Sequence, residues 1–304
     1  RPFFGSCLAG KRTPQIAGSW QPRALPEYLD REEVKKAGAP SLLRLPPILP
    51  IFNFMPSANL RHLETRQTSH QSVAVWGDSH EVEFRVTGAI HAWWGRDQFL
   101  TGLAWDAIAA GILSHPTGAP QSLLMLGLGG GTSLRTLRHL CPDMKITAIE
   151  IDQEMIQLAR DYMNLEAIGI EVIPGDAYAW LHRNRRRFDV IFDDVYGVTS
   201  SDVERPLASP AALLPDLQRS LKPGGIFAAN LVTGPGHRRV QTGFRRFFRE
   251  NFPEVRSITT EASMNECLIG GTGLWPWKDL RPLAQAFPTD TDYSHWRGLR
   301  ARRL

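Results

Sequence analysis

Between residues 72 and 94 apolar and polar positions alternate with a period of two. Val82, Phe84 and Val86 interleave with Glu81, Glu83 and Arg85, as in a half-buried antiparallel strand, and Gly77-Asp78 and Thr87-Gly88 supply turn residues on either side. A small β meander follows from this spacing. The period then changes. Leu100, Leu103, Ala104, Ala107, Ile108 and Ile112 recur at helical intervals behind Asp97, the expected helix cap, and Pro116 lies beyond the end.

From Ser122 onward, apolar runs of strand length alternate with amphipathic helical stretches, which predicts βαβ units and a mainly parallel sheet. Residues 123–128 form an apolar strand running into Gly127, Gly129, Gly130 and Gly131, and residues 132–140 the following helix. Residues 145–151 are the second strand and 153–163 the second helix. Residues 170–173, 188–192 and 226–232 supply three more strands, the last preceded by a helix that Lys222-Pro223-Gly224-Gly225 terminates. A helix over 237–251 turns Val240, Phe244, Phe247 and Phe248 inward, and residues 255–260 and 266–270 close the sheet as a hairpin. The result is an α/β chain with a mainly parallel seven-stranded sheet. Four regions are expected: a basic, proline-rich extension over 1–54, the meander over 55–96, a Rossmann-like α/β domain over 97–275 and a C-terminal tail over 276–304.

Charge alters this picture at one end. Residues 1–54 carry 8 Lys+Arg against 4 Asp+Glu and 8 of the 22 prolines, without a sustained period of 2 or 3.6, so they are read as a loosely ordered arm. The remaining chain is balanced in charge. No run of 18 apolar residues exists to span a bilayer, and Cys7, Cys141 and Cys267 are too scattered for a metal cluster or a disulfide framework. A cytoplasmic protein without metal, membrane or nucleic-acid partner is the expectation. The basic groups at Arg183, Arg185, Arg186, Arg187 and along 238–249 fit solvated helix faces better than a nucleic-acid surface.

The candidate chemistry begins at the glycines. A strand that ends in glycines and opens a helix lets backbone N–H groups approach a ligand closely. A pyrophosphate fingerprint counted from Gly127 would need glycine at position 132, where Thr132 stands. Acids then recur at strand ends. Glu150, about 20 residues on, is placed to accept both hydroxyls of a ribose. Asp176, followed by Ala177, is placed to accept from an exocyclic amine or a ring edge, and Asp193 and Asp194 end the fourth strand.

These segments resemble a known family. The runs at 126–134 (LGLGGGTSL), 148–156 (AIEIDQEMI), 174–180 (PGDAYAW), 188–197 (FDVIFDDVYG) and 221–225 (LKPGG), with 87–99 (TGAIHAWWGRDQF) upstream, are similar to class I S-adenosylmethionine-dependent transferases, and among them to the spermidine/spermine synthase family. The resemblance implies a Rossmann-like methyltransferase fold and S-adenosylmethionine, or its decarboxylated form, as cofactor. It implies that Gly127, Gly129, Gly130, Gly131, Glu150, Asp176 and Ala177 bind that nucleoside, and that Asp194 helps deprotonate an attacking amine. It also suggests a homodimer paired through the meander.

Departures from the pattern shape the functional expectation. Polyamine-making members have an aspartate where Thr132 follows the glycines, a Tyr-Gln pair where Thr101 and Gly102 stand, and an acid where Gly197 stands. Each buried ammonium needs a partner, so these losses disfavour a polycationic acceptor. Methyl transfer to a small-molecule acceptor is therefore the leading expectation, aminopropyl transfer the alternative, and a non-catalytic nucleoside-binding protein the third. Asp97, Thr132 and Tyr196 are the acceptor-site candidates. His91, Trp93 and Trp94 are further candidates for the pocket floor, and residues 195–210 for the loop that covers it.

Overall fold

Alternate residues of one strand show how this sequence divides into layers. In the computed structural model, which describes residues 60–199 and 202–304, Leu123 and Met125 pack into one hydrophobic cluster and Leu124 and Leu126 into another, so β5 (Ser122–Leu126) has an apolar layer on each face. The extension read over 1–54 lies outside the described residues.

Four antiparallel strands come first: β1 (Arg61–Gln67), β2 (Ser72–Gly77), β3 (Glu81–Val86) and β4 (Ala89–Gly95), paired in that order. Helix α1 (Ala104–Ile112) leads into β5, α2 (Thr132–Leu140), β6 (Lys145–Glu150), α3 (Gln153–Tyr162), the short α4 (Leu165–Ile168) and β7 (Glu171–Pro174). The chain continues through α5 (Ala177–Arg183), β8 (Phe188–Asp193), the two-residue strands β9 (Gly197–Val198) and β10 (Val203–Glu204), α6 (Leu214–Ser220) and β11 (Leu221–Val232). Helix α7 (Arg238–Asn251), β12 (Glu254–Thr259), β13 (Asn265–Gly271), α8 (Trp277–Leu280), α9 (Asp290–Gly298) and β14 (Arg300–Arg303) complete it.

The main sheet runs β14-β12-β13-β11-β8-β5-β6-β7, with β11, β8, β5, β6 and β7 parallel and the other three antiparallel. Apolar residues of α1, α2, α3 and α9 cover one face and those of α5, α6 and α7 the other. The chain starts this sheet at β5, moves outward to β7, then returns to β8 on the other side of β5. That reversal opens a crevice beyond the carboxyl ends of β5 and β8, where open α/β sheets bind ligands.

Three local features differ from the sequence reading. The sheet has eight strands rather than seven, because β14, within the segment read as a tail, pairs with β12. Asp97 is exposed and α1 starts at Ala104 without a side-chain cap. The preceding loop is held from elsewhere. Asp106 accepts from the Thr101 and Gly102 amides at 3.0 and 2.7 Å, and Asp292 of α9 accepts from those of Phe99 and Leu100 at 2.9 and 2.7 Å. Lastly, Glu83 on the polar side of the meander is fully buried, in register between Trp76 and Trp93, rather than half-exposed.

Residues 276–304 thus reach into the body of the fold. Trp296 is completely buried in the layer over β5, with its indole N–H donating to the Leu280 carbonyl at 2.9 Å. Replacing a large buried aromatic by alanine removes its transfer energy and leaves a cavity. Trp296→Ala is expected to lower unfolding stability by about 3–5 kcal/mol. Urea denaturation checks this, and an unchanged midpoint would mean that α9 is dispensable.

Candidate functional site

The cleft at the switch point has a volume of about 680 Å³ and is lined by the turn after β5, the end of β6, the start of α5, the end of β8 and the β9–β10 hairpin. Gly127, Gly129, Gly130, Gly131, Thr132, Glu150, Asp176, Ala177, Asp194 and Tyr196 all line it. Asp97, the remaining acceptor-site candidate, does not, and neither do Trp93 and Trp94, whereas His91 does.

Close approach explains two of the glycines. At Gly127, with φ +84°, a Cβ would sit 2.5 Å from the Asp194 carbonyl oxygen, so any side chain would push the ends of β5 and β8 apart. At Gly130 a Cβ would collide with the Ala92 methyl. Helix α2 then opens at Gly131 without a side-chain cap, which leaves its first backbone N–H groups without intrahelical acceptors at the cleft wall.

Glu150 braces this turn. Its Oε2 accepts from the Leu128 and Gly129 amides at 2.9 and 3.0 Å, and its Oε1 from the Asp152 amide at 3.1 Å. Asp152 caps α3, accepting from Met155 N, and receives the Thr68 hydroxyl at 2.6 Å, which ties the meander to the rim. Asp176 is exposed and caps α5 through Oδ1, which accepts from the Ala179 amide at 2.9 Å.

At the end of β8 neighbouring aspartates take different surroundings. Asp193 is fully buried, 3.1 Å from Arg205 Nη2, and accepts the Tyr178 hydroxyl at 3.2 Å. Arg205 also donates to the Asp193 carbonyl at 2.9 Å, and its guanidinium lies over the rings of Tyr196 and Phe244 at 4.9 and 4.6 Å. This arginine joins the far end of the β9–β10 hairpin to its start. Asp194 faces the cleft, and burial pushes its carboxyl up to about 6 against the opposing effect of a hydrogen bond from Asn230.

Residues missed by sequence reasoning surround Asp194. Asn230 of β11 donates to Asp194 Oδ1 at 2.8 Å, Asn265 of β13 donates to Asn230 Oδ1 at 3.1 Å, and Ser263 donates to Asn265 Oδ1 at 2.6 Å. The relay fixes which end of the Asn230 amide meets the carboxylate. Polar residues inside otherwise apolar strands were the available signal. Tyr196 donates to the Asn230 carbonyl and accepts from the Val232 amide, both at 2.9 Å, so its hydroxyl is a strut of the cleft wall. Thr132 is likewise engaged, donating to the Trp93 carbonyl and accepting from the Trp93 amide at 2.9 Å. Thr101 binds Asp106 and does not line the cleft.

The charge of the cleft suits a cation. Among the described residues, Glu150, Asp152, Asp176, Asp194 and Glu204 line it against the single guanidinium of Arg85, with His70 and His91 as the other titratable bases. His91 is held well below the usual histidine range, at about 4, by burial, and is therefore neutral. Also among the described residues, no helix is long and apolar enough to cross a membrane.

Residues 123–225 match a methyltransferase domain family. A probable polyamine aminopropyl transferase of Bifidobacterium longum is 36% identical over 138 residues, covering 45% of this chain and 29% of that protein. An eEF1A lysine and N-terminal methyltransferase homolog of Drosophila pseudoobscura is 30% identical over 154 residues, covering 48% and 22%. The chain therefore spans less than a third of either relative. The spermidine synthase of Thermotoga maritima superposes with a TM-score of 0.55 at 19% identity, over 76% of this chain and 79% of that one, a likeness of fold.

The Asp193–Arg205 pair is testable by stability. Removing one partner of a buried ion pair leaves an uncompensated charge, whereas apolar replacement of both avoids it. Arg205→Met is expected to cost about 3–5 kcal/mol, and Arg205→Met combined with Asp193→Leu to recover most of that loss. Chemical denaturation of the single and double variants measures both, and equal stability of all three proteins would rule out the anchoring role.

Proposed function

For a chain with a spermidine synthase-like, class I methyltransferase fold, we propose that the cleft binds a sulfonium nucleoside of the S-adenosylmethionine type and directs transfer of its alkyl group to an amine. The observation that carries this reading is Asp194: a carboxylate at the switch point, held through one oxygen by Asn230, with its other oxygen making no hydrogen bond to the described residues. Supporting it are the glycine turn, the uncapped start of α2 and the acidic lining, which together suit a ribose and a cationic sulfur.

The bound nucleoside supplies an electrophilic carbon and a thioether leaving group. Displacement there needs an uncharged nitrogen held in line. Asp194 takes the amine proton and orients the lone pair, Asn230 keeps the carboxylate in place, and Tyr196 and the hairpin exclude water. Glu150 accepts from the ribose hydroxyls and Asp176 from the adenine amine.

Which group moves divides the reading. Similar proteins from Bifidobacterium, Neisseria and Chromobacterium carry the name of polyamine aminopropyltransferases, which favours aminopropyl transfer over the methyl transfer expected from the sequence. Methyl transfer is the second reading. It is supported by Thr132, whose hydroxyl is engaged by the Trp93 backbone, by the bare Gly197, and by the methyltransferase names of the Drosophila relatives.

The leaving nucleoside separates the two. Methylthioadenosine released in the presence of decarboxylated S-adenosylmethionine and an amine supports aminopropyl transfer, and S-adenosylhomocysteine released from S-adenosylmethionine supports methyl transfer. Binding of neither product by the purified protein would overturn the whole reading. Calorimetry on Glu150→Ala and Asp176→Ala is expected to show nucleoside binding weakened by about 1–3 kcal/mol each. Asp194→Asn should keep that affinity and lose turnover.

Asp194 also sets a pH dependence. It acts as a base only when ionised, so kcat/KM is expected to rise with pH through an acid limb near 6. Asn230 favours the ionised form, so Asn230→Ala should move that limb to higher pH. A pH–rate profile in which the limb stays put, or moves down, would contradict the assignment.

A further inference from the structure

Beside the nucleoside cleft lies a second chamber of about 600 Å³ between the meander and the β9–β10 hairpin. His70, Gln71, Arg85, Gly88, Val198 and Thr199 line both spaces, so the chamber is the continuation of the cleft away from the glycine turn. Its remaining wall includes the indole of Trp76. Among the described residues no carboxylate lines it, in contrast to the acidic cleft.

The charged group here is Arg85. Its guanidinium carbon sits 4.7 Å from the centre of the Trp76 ring, which fixes the orientation of the planar group. Glu83, fully buried, meets it through one oxygen only: Oε2 accepts from Nε at 2.8 Å and lies 2.6 Å from Nη2. Arg85 Nη1 makes no hydrogen bond to the described residues. An ammonium group entering this chamber would meet a guanidinium and an imidazole and find no acid to pair with, at the cost of its hydration. A carboxylate would meet an oriented donor beside an aromatic face.

We propose that the chamber holds the far end of the acceptor and that this end is a carboxylate, so that the acceptor is an amino carboxylate with its amine toward Asp194 and its anion on Arg85. This rests on the proposed amine-directed transfer and deepens it: the acceptor carries one positive and one negative end, where a polyamine carries only positive ones. Glu83 then serves to hold Arg85 in place from behind, and Trp76 covers the apolar stem of the acceptor.

Matched probes isolate the charge of the far end. Protein saturated with methylthioadenosine is titrated with 4-aminobutyrate and 5-aminopentanoate, and separately with putrescine and cadaverine, which have the same chains with an ammonium in place of the carboxylate. Binding of the amino carboxylates at least tenfold tighter than the diamines is the expected result. Equal or tighter binding of the diamines, or no binding of either class, overturns the proposal. Should only S-adenosylhomocysteine bind, it replaces methylthioadenosine in the titration; failure of both to bind would instead strike the nucleoside reading, and this inference with it. Arg85→Gln combined with Glu83→Gln, which avoids leaving a buried charge unpaired, should abolish the preference. A preference surviving in that double variant, with an unaltered melting curve, also overturns the assignment to Arg85.

Discussion

The buried contact between Arg205 and Asp193 determines what the end of β8 can do. Two adjacent carboxylates at a strand end repel each other and, buried together, would both be driven toward the neutral form. Arg205 compensates one of them inside the protein, where Tyr178 adds a hydroxyl, and by doing so brings the β9–β10 hairpin back over the cleft. Asp194 is then free of structural duty and faces open space with an elevated proton affinity. One residue anchors the wall and its neighbour is presented by it.

The supports of Asp194 come from the opposite direction. Asn230 lies on β11, parallel to β8, and Asn265 on β13, antiparallel to β11, so the carboxylate is held from the seam where the parallel order ends. The loop into α1 is held by Asp292 from α9, close to the C-terminus. The cleft walls therefore depend on contacts far apart in sequence, and the last 30 or so residues help to position groups more than 150 positions earlier.

This distribution explains what could be read from the chain. The strands of the parallel sheet were legible because Leu123–Leu126 and residues 190–192 are continuously apolar, as strands covered on both faces must be. The glycines and strand-end acids could be placed because each lies at or just beyond the end of its own strand, a local relation along the chain. The relay through Asn230, Asn265 and Ser263 was not, since it arises only when β11 and β13 pair. The burial of Glu83 was hidden for a related reason: a period-two pattern assigns it to the polar face, and only the rings of Trp76 and Trp93 on the flanking strands show that this face is covered. Asp97 misled because a plausible capping residue lay near a helical pattern, while the real restraint, Asp106, sits inside the helix it stabilises.

The close approach at Gly127 separates the two ends of the cleft in their tolerance of change. There the backbones of β5 and β8 nearly touch, so the position admits no side chain without moving Asp194. The chamber wall, by contrast, is made of side chains on meander strands and a hairpin whose exchange disturbs no such contact. Mutation can therefore reshape the chamber end through replaceable side chains, while the glycine end is written into main-chain geometry and resists such drift.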